Sequence, residues 1–270
     1  MTVSPALAAD PNEWSAHHRR DEIARLVDES HRVSVADLTS RFGVTDASIR
    51  RDLILLESEG RLRRIHGGAV SHSAKLAAGT FATKLRLHVD EKSRIARAAA
   101  NLVQPGEIVV FDSGTTVARV AAHMPAALRA PNAITAVTYS LPVIDELGSW
   151  EAPHLMVVGG LYLPDYRAFV GPETIAGLRD LTADVIFLGC DGLTVESGLT
   201  TPHVLVAEVG AVATSRSRRV VAVADSSKIG RQGFKPIVSL SDVDILITDT
   251  AADPERIAEI RAAGVEVMLV

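Results

Sequence analysis

Two hydrophobic rhythms divide this chain. Over residues 19–73 apolar side chains recur at helical spacing, with Ile23, Leu26 and Val27 at i, i+3, i+4 and Ile49, Leu53 and Leu56 at i, i+4, i+7. From residue 106 onward short β-branched runs take over, IVVFD, AITAVT, LMVVGG, DVIFLGCD, RVVAVAD, DILITD and VEVMLV, separated by helical stretches. That alternation predicts βαβ units around a mostly parallel sheet. Between the two regimes lies SHSAKLAAGT, small and polar, which reads as a linker. The expected organisation is a flexible tail over residues 1–18, a small helical domain over 19–74, a linker over 75–89 and an α/β domain over 90–270.

Within the small domain a first helix is expected over Arg20–Glu29. Ser34 followed by Asp37 resembles a capping box and starts a second helix, buried through Leu38 and Phe42. Gly43 stops it and Thr45 caps a third. Ala47, Ser48, Arg50 and Arg51 then fall on or near the outward face of that helix's first two turns. Helix, glycine turn, helix is the helix-turn-helix arrangement, whose second helix enters the DNA major groove with its N-terminal residues against base edges. Arginine suits that place because its fork can bond guanine O6 and N7 together. Next comes GRLRRIHGGAV, where Arg61, Arg63, Arg64 and His66 precede a Gly67-Gly68 turn with no acid from residue 60 to 70. It reads as a hairpin wing lying along phosphates. Thr45, Ala47, Ser48, Arg50, Arg51, Arg61, Arg63, Arg64 and His66 are thus the candidate DNA contacts.

Charge tempers that reading. The whole chain carries a formal net charge of −5, so affinity for nucleic acid has to come from local placement. Residues 19–73 hold ten Lys/Arg against nine Asp/Glu, and a solvated helical bundle with ordinary surface arginines is the competing reading. At 47% hydrophobic and 4% aromatic the chain builds its core mainly from Val, Ala, Leu and Ile, which suits buried parallel strands. The single cysteine, Cys190, excludes an intrachain disulfide and any Cys-based zinc site, and in its apolar run it reads as a small buried hydrophobe. The nine histidines show no metal-ligand spacing, so neither metal nor cofactor is expected. No apolar stretch approaches the roughly 20 residues of a membrane span, and the first residues lack a signal peptide's pattern. A cytoplasmic location is expected.

In the larger domain, IVVFDSGTT is a buried strand ending in a hydroxyl-rich turn before the helical TVARVAAHM. Backbone amides at such a helix start, with the hydroxyls of Ser113, Thr115 and Thr116, make an anion site, and Gly114 lets backbone come close to a ligand. A plain helix cap would account for one hydroxyl, not three. Open α/β sheets bind ligands at the carboxyl edge of their strands. Asp112, Asp191 with Gly192, and Lys228 would all lie there, as would Thr138, Gly159 and Gly160, the glycines serving equally well as a tight turn. Lys228 is the candidate for charge on a phosphate or carboxylate, although a lysine just after a strand is commonly surface charge.

The segment GVTDASIRRDLILLESEGRLRRIHGGAV resembles the DeoR family of bacterial transcription regulators, in which Ile-Arg-Arg-Asp-Leu on the recognition helix leads to a wing ending His-Gly-Gly-Ala. Here these are Ile49 to Leu53 and His66 to Ala69, with Ser48 where the family has threonine. Arg86, Glu91 and Lys92 resemble the opening of the family's sensor domain, and FDSGTT, VVGG, FVGP, DVIFLGCDG, GLTT and ADSSK follow in the family's order. The resemblance implies a sequence-specific DNA-binding regulator on operator DNA, a repressor of carbohydrate-metabolism genes controlled by a phosphorylated sugar or related metabolite. It also implies an α/β sensor domain similar in fold to ribose-5-phosphate isomerase, glucosamine-6-phosphate deaminase and CoA-transferase-like proteins. One helix-turn-helix covers a half-site, so a homo-oligomer, dimer or tetramer, is expected, joined through the larger domain. Two departures bear on the ligand. Tyr139 stands where the family commonly has Asn, and Val206 and Gly210 align with its Glu and Lys, although a small register shift would bring Glu208 into the acid's place. A sugar-phosphate isomerase or deaminase with a DNA-binding extension is the alternative, and activation in place of repression another.

Overall fold

A computed structural model describes residues 16–30, 32–59, 61–65, 67–71 and 81–270. The chain divides into two compact units, residues 1–79 and 80–270. The smaller runs α1 (Ala16–Ser30), β1 (Arg32–Ser34), α2 (Val35–Phe42), α3 (Asp46–Ser58), β2 (Leu62–Ile65) and β3 (Gly68–Ser71). Local chemistry sets its turns. The Ser34 hydroxyl accepts from the Asp37 amide at 3.0 Å and caps α2, Gly43 ends that helix in the left-handed conformation, and the Thr45 hydroxyl accepts from the Ser48 amide at 3.3 Å to cap α3. Ile23, Val27, Leu38, Phe42, Ile49, Leu53, Leu56 and Leu62 close one core. The hairpin of β2 and β3 joins β1 in an antiparallel sheet of order β1-β3-β2. Gly68 is needed there for space, since a Cβ would stand 2.1 Å from the Val33 carbonyl oxygen.

The first helix begins earlier than its apolar spacing predicts, at Ala16 and not Arg20, so residues 16–18 belong to it and not to a tail. The cause is polar. Arg19 Nε donates to Asp52 Oδ2 at 2.7 Å, and both side chains are nearly buried, at 12% and 5% exposure. This ion pair ties the first turn of α1 to the middle of α3.

The larger unit opens with α4 (Phe81–Arg86) and α5 (Val89–Ala100). The expected linker over 75–89 is therefore too long. Phe81 is buried and its amide donates to the Asp165 carbonyl, so ordered structure resumes there; residues 75–80 lie outside the described residues. There follow β4 (Ile108–Phe111), α6 (Thr115–Ala122), β5 (Thr135–Thr138), α7 (Leu141–Leu147), β6 (His154–Val157), β7 (Leu161–Leu163), β8 (Ala168–Val170), α8 (Pro172–Arg179) and β9 (Ala183–Leu188). Then come β10 (Gly192–Thr194), β11 (Gly198–Thr201), α9 (Val204–Ser215), β12 (Ser217–Val223), β13 (Lys235–Val238), β14 (Ile245–Thr248), α10 (Pro254–Ala262) and β15 (Glu266–Leu269).

Seven strands form one sheet in the order β15-β14-β12-β9-β4-β5-β6, every neighbouring pair parallel. The period of two along β4 sends Val109 and Phe111 to a layer with Ile95, Val117 and Val143, from α5, α6 and α7. Val110 goes to the opposite layer with Leu178, Val209 and Ile260, from α8, α9 and α10. Burial on both faces explains the unbroken apolar runs of the central strands. A small antiparallel sheet, β10-β11-β13, and the hairpin β7-β8 complete the unit.

The Arg19–Asp52 pair generates a test. Asp52→Ala leaves the guanidinium uncompensated at a nearly closed site, which costs about 3 kcal/mol, whereas Asp46→Ala at an exposed position of the same helix costs under about 1 kcal/mol. Urea denaturation of the full chain, followed in the transition of the smaller unit, measures both.

Candidate functional site

In the smaller unit α3 presents the expected outward face. Ala47, Arg50 and Arg51 are exposed and Ser48 half-buried, while Ile49, Asp52, Leu53 and Leu56 are buried. Arg50 lies 3.8 Å from Asp46 one turn earlier, both well exposed. On the wing Arg61 Nη1 donates to Asp21 at 2.8 Å, and Arg64 binds Glu57 through its backbone amide at 2.8 Å and its Nε at 2.7 Å. Surface pairs of this kind are worth about 0–1 kcal/mol, so a phosphate can displace them. Arg63 lies on β2, and His66 lies outside the described residues.

The larger unit holds a cavity of about 60 Å³ at the carboxyl ends of β4, β9 and β12. A water needs about 10–15 Å³ in such a space, so it has room for a small metabolite. Of the sequence-predicted pocket residues, Asp112, Ser113, Gly114, Thr115, Thr116, Asp191 and Lys228 line it together. Gly114 sits between β4 and α6 with φ of +128°, a conformation that glycine adopts without strain. The first bond within α6 runs from the Ala118 amide to the Gly114 carbonyl, leaving the amides of 115–117 without a partner inside the helix.

Four expected residues do not line this cavity. Thr138 is fully buried, its hydroxyl donating to the Phe111 carbonyl at 2.7 Å and accepting from the Ser140 amide. It pins the two strand ends and lines no part of the cavity. Gly159 and Gly160 follow β6, two strands away from β4 and three from β9, and Gly160 packs on Thr174 and Val170. Gly192 lies under the Arg231 carbonyl, where a Cβ would approach to 2.4 Å.

Asp112 also differs from the expectation of a ligand acceptor. Its Oδ1 accepts from the Tyr139 hydroxyl at 2.6 Å and its Oδ2 from the Gly189 amide at 3.0 Å. Burial pushes its carboxyl up to about 6, against the lowering effect of these hydrogen bonds. Tyr139, standing where the family commonly has Asn, is thus the residue that holds Asp112. Glu208 is exposed while Val206 lines the cavity, so no register shift restores the family's acid, and the wall there is apolar.

Asp225, which with Lys228 follows the strand VVAVA, lines the cavity too, and further lining residues escape the strand-end logic: Phe81 and Lys84 from α4, Lys92 from α5, Tyr166 and Thr201. Lys84 pairs with Asp191, which also accepts from the Thr201 hydroxyl at 3.1 Å, and its ammonium lies 5.3 Å from the centre of the Tyr166 ring. Lys92 is buried, donates to the Lys84 and Leu87 carbonyls at 2.7 and 2.8 Å, and lies 3.9 Å from Asp225 Oδ2. Burial pulls its ammonium down to about 8, with Asp225 opposing. One signal in the sequence marks it. Lys92 precedes Ile95 and Ala96 by three and four residues, a charge set into the buried stripe of α5. Asp225 Oδ2 is buried without a hydrogen bond, and Lys228 makes no hydrogen bond or ion pair through its side chain among the described residues. Cys190 is half-buried as a residue, but enclosure of its sulfur, with Asp191 beside it, pushes the thiol up to about 12.

The Tyr139–Asp112 contact has a definite pH signature. The folded value of about 6 lies above the ordinary 3.8, so Asp112 contributes stability that is full below pH 3.8 and lost as pH rises through about 6. The tyrosine hydroxyl offsets part of that loss by bonding the ionised form. Tyr139→Phe therefore costs about 1.5–3 kcal/mol at pH 7.5, where Asp112 is charged, and about 1 kcal/mol at pH 5, where it is mostly neutral. Urea unfolding of both proteins at the two pH values reads the difference, and an equal loss at both removes the assignment.

Comparison with known proteins agrees with this two-part layout. A model described as the DeoR-like helix-turn-helix domain matches residues 19–75, and one described as the DeoR C terminal sensor domain matches residues 87–250. The HTH-type transcriptional regulator GlpR of Haloferax volcanii is 36% identical over 93% of this chain and 96% of its own length. The putative aga operon transcriptional repressor of Escherichia coli O157:H7 is 31% identical over 93% of each chain. The lactose phosphotransferase system repressor of Staphylococcus aureus is 30% identical over 91% of this chain and 96% of its own. Among solved structures, ribose 5-phosphate isomerase A of Methanocaldococcus jannaschii aligns over 52% of this chain and 54% of its own at a TM-score of 0.39 and 17% identity. With both halves matched in order and relatives this similar over nine-tenths of its length, the chain belongs to the DeoR family of DNA-binding transcription regulators.

Proposed function

We propose that this protein is a repressor of carbohydrate-metabolism genes, released from its operator when a phosphorylated sugar or a close relative enters the cavity of the larger unit. The carrying observation is that one cavity holds both Lys228, which has no side-chain partner among the described residues, and Asp225 Oδ2, which faces Lys92 at 3.9 Å but accepts no hydrogen bond. An anionic group fits between Lys228 and the Ser113–Thr116 turn, whose amides and hydroxyls favour negative charge. A hydroxyl donor on the same ligand fits Asp225. A sugar phosphate carries both an anion and hydroxyls. The relatives named for the aga operon and the lactose phosphotransferase system support the same class.

Catalysis is not part of this reading. The strand-end carboxylates beside Lys228 that could do acid–base work, Asp112 and Asp191, are both engaged by protein groups, the first by Tyr139 and Gly189 and the second by Lys84 and Thr201. The effector acts instead by binding the DNA-free arrangement more tightly than the DNA-bound one, since equal affinity for both would shift nothing. DNA is read by α3, with Arg50 and Arg51 on its exposed face and Arg61, Arg63 and Arg64 on the wing side. Two half-sites require two copies, so the working form is a homo-oligomer in the cytoplasm, joined through the larger unit.

Two measurements check the reading. Arg50→Ala, Arg51→Ala weakens operator binding by at least about 1–3 kcal/mol and relaxes preference at one operator position, while Arg64→Ala weakens all sequences alike and flattens the salt dependence. Retention of parental operator affinity by the double variant defeats the docking of α3. Lys228→Ala lowers affinity for the inducing sugar phosphate about tenfold to a hundredfold and leaves operator affinity without effector unchanged. Calorimetry across a panel of sugar phosphates, with product analysis of each mixture, measures the first and exposes any turnover.

A further inference from the structure

We infer that two copies of this chain meet through the free edge of the large sheet at β6, together with the hairpin that follows it. The inference rests on the homo-oligomer reading above and names its surface.

The two edges of the seven-stranded sheet are built differently. At one, β15 carries the exposed carboxylate of Glu266, and Arg261 from α10 donates to the Val267 carbonyl at 3.2 Å, occupying an edge acceptor. Charges and side chains laid over edge groups are the usual means by which proteins keep an edge from pairing. At the other, β6 has neither among the described residues. Met156 and Val157 sit on opposite faces of the strand, yet both are exposed, at 41% and 45%, although Leu155 and Val158 on either side of them are half-buried and buried. The chain then turns into β7, where Leu161 and Tyr162 are exposed at 58% and 40%. From Leu155 to Leu163 there is no charged residue.

That absence of charge selects a second copy as the occupant. A two-fold axis brings a surface against itself, so any charge near the axis meets its own like. A neutral apolar strip is complementary to itself, whereas a different partner places no such demand. In the same unit another stretch of exposed apolar residues, Leu85, Leu87 and Val89, is interrupted by Arg86 and His88 and followed by Asp90, and lacks this property. About a two-fold axis the β6 strands run antiparallel, edge to edge, with Met156 and Val157 near the axis and Leu161 and Tyr162 flanking it.

Sedimentation velocity of the full-length chain tests this with Val157→Lys, Val157→Asp and, on the opposite edge, Leu269→Lys. Each Val157 variant is expected to weaken association at least a hundredfold, because like charges are brought together. An equimolar mixture of the two should recover a dimer, because unlike charges then meet. Leu269→Lys should sediment like the parent. Leu161→Glu on the hairpin serves as a second disruption where a strand variant melts below the parent. If the parent is itself a monomer at micromolar concentration, the oligomer reading fails. If the parent associates and the variants at residues 157 and 161 associate equally well, or if Leu269→Lys is the one that dissociates, the surface is elsewhere. Dissociation of both Val157 variants without recovery on mixing places the strip against something other than its own copy and overturns the two-fold.

Discussion

Three aspartates end three adjacent parallel strands, and the cavity is organised by the need to neutralise them. Asp112, Asp191 and Asp225 follow β4, β9 and β12, so the parallel sheet itself delivers their charge to one edge. Unit charges about 4 Å apart interact by about 4 kcal/mol near a protein surface, and three carboxylates cannot share a cleft without counter-charge or donors. Each is met differently. Asp112 receives two neutral donors, Tyr139 and Gly189. Asp191 receives Lys84 and Thr201. Asp225 faces Lys92 at 3.9 Å, and its Oδ2 remains without a hydrogen bond. The incomplete satisfaction of the third gives the cavity an acceptor to offer.

Of the three lysines that line the cavity, Lys84 and Lys92 come from outside the strand-end pattern, and this is why sequence reading finds the acids more readily than the bases. Strand ends are legible: a β-branched run, then a small or polar residue, puts Asp112, Ser113, Asp191 and Lys228 at one edge once the sheet is parallel. Lys84 and Lys92 belong to α4 and α5, which precede the first strand, and only packing brings them back over the sheet. Lys92 leaves a trace as a charge in an apolar helical stripe, but Lys84, on a six-residue helix, leaves none. The same logic overcounts. Thr138, Gly159 and Gly160 also end strands, but β5 and β6 lie toward the edge of the sheet, beyond the cavity. Strand order cannot be read from strand existence. In the smaller unit the apolar spacing gave all three helices, and missed only the first turn of α1, which a buried ion pair holds in place of apolar contact.

Lys92 also links the cavity to the first helix of the larger unit. Its ammonium spends two donors on the carbonyls of Lys84 and Leu87 and faces Asp225 with the rest. Arg119 from α6 reaches the intervening Leu85 carbonyl at 3.4 Å. Cations near the last carbonyls of a helix are stabilising, and here two of them fasten a helix too short to be stable alone. The ammonium that faces Asp225 is thus the one that holds the end of α4 and the turn after it. The wall of the cavity and the start of the larger unit share a single buried charge. A change at Lys92 therefore acts on both, because its three donors leave nothing over to replace either contact.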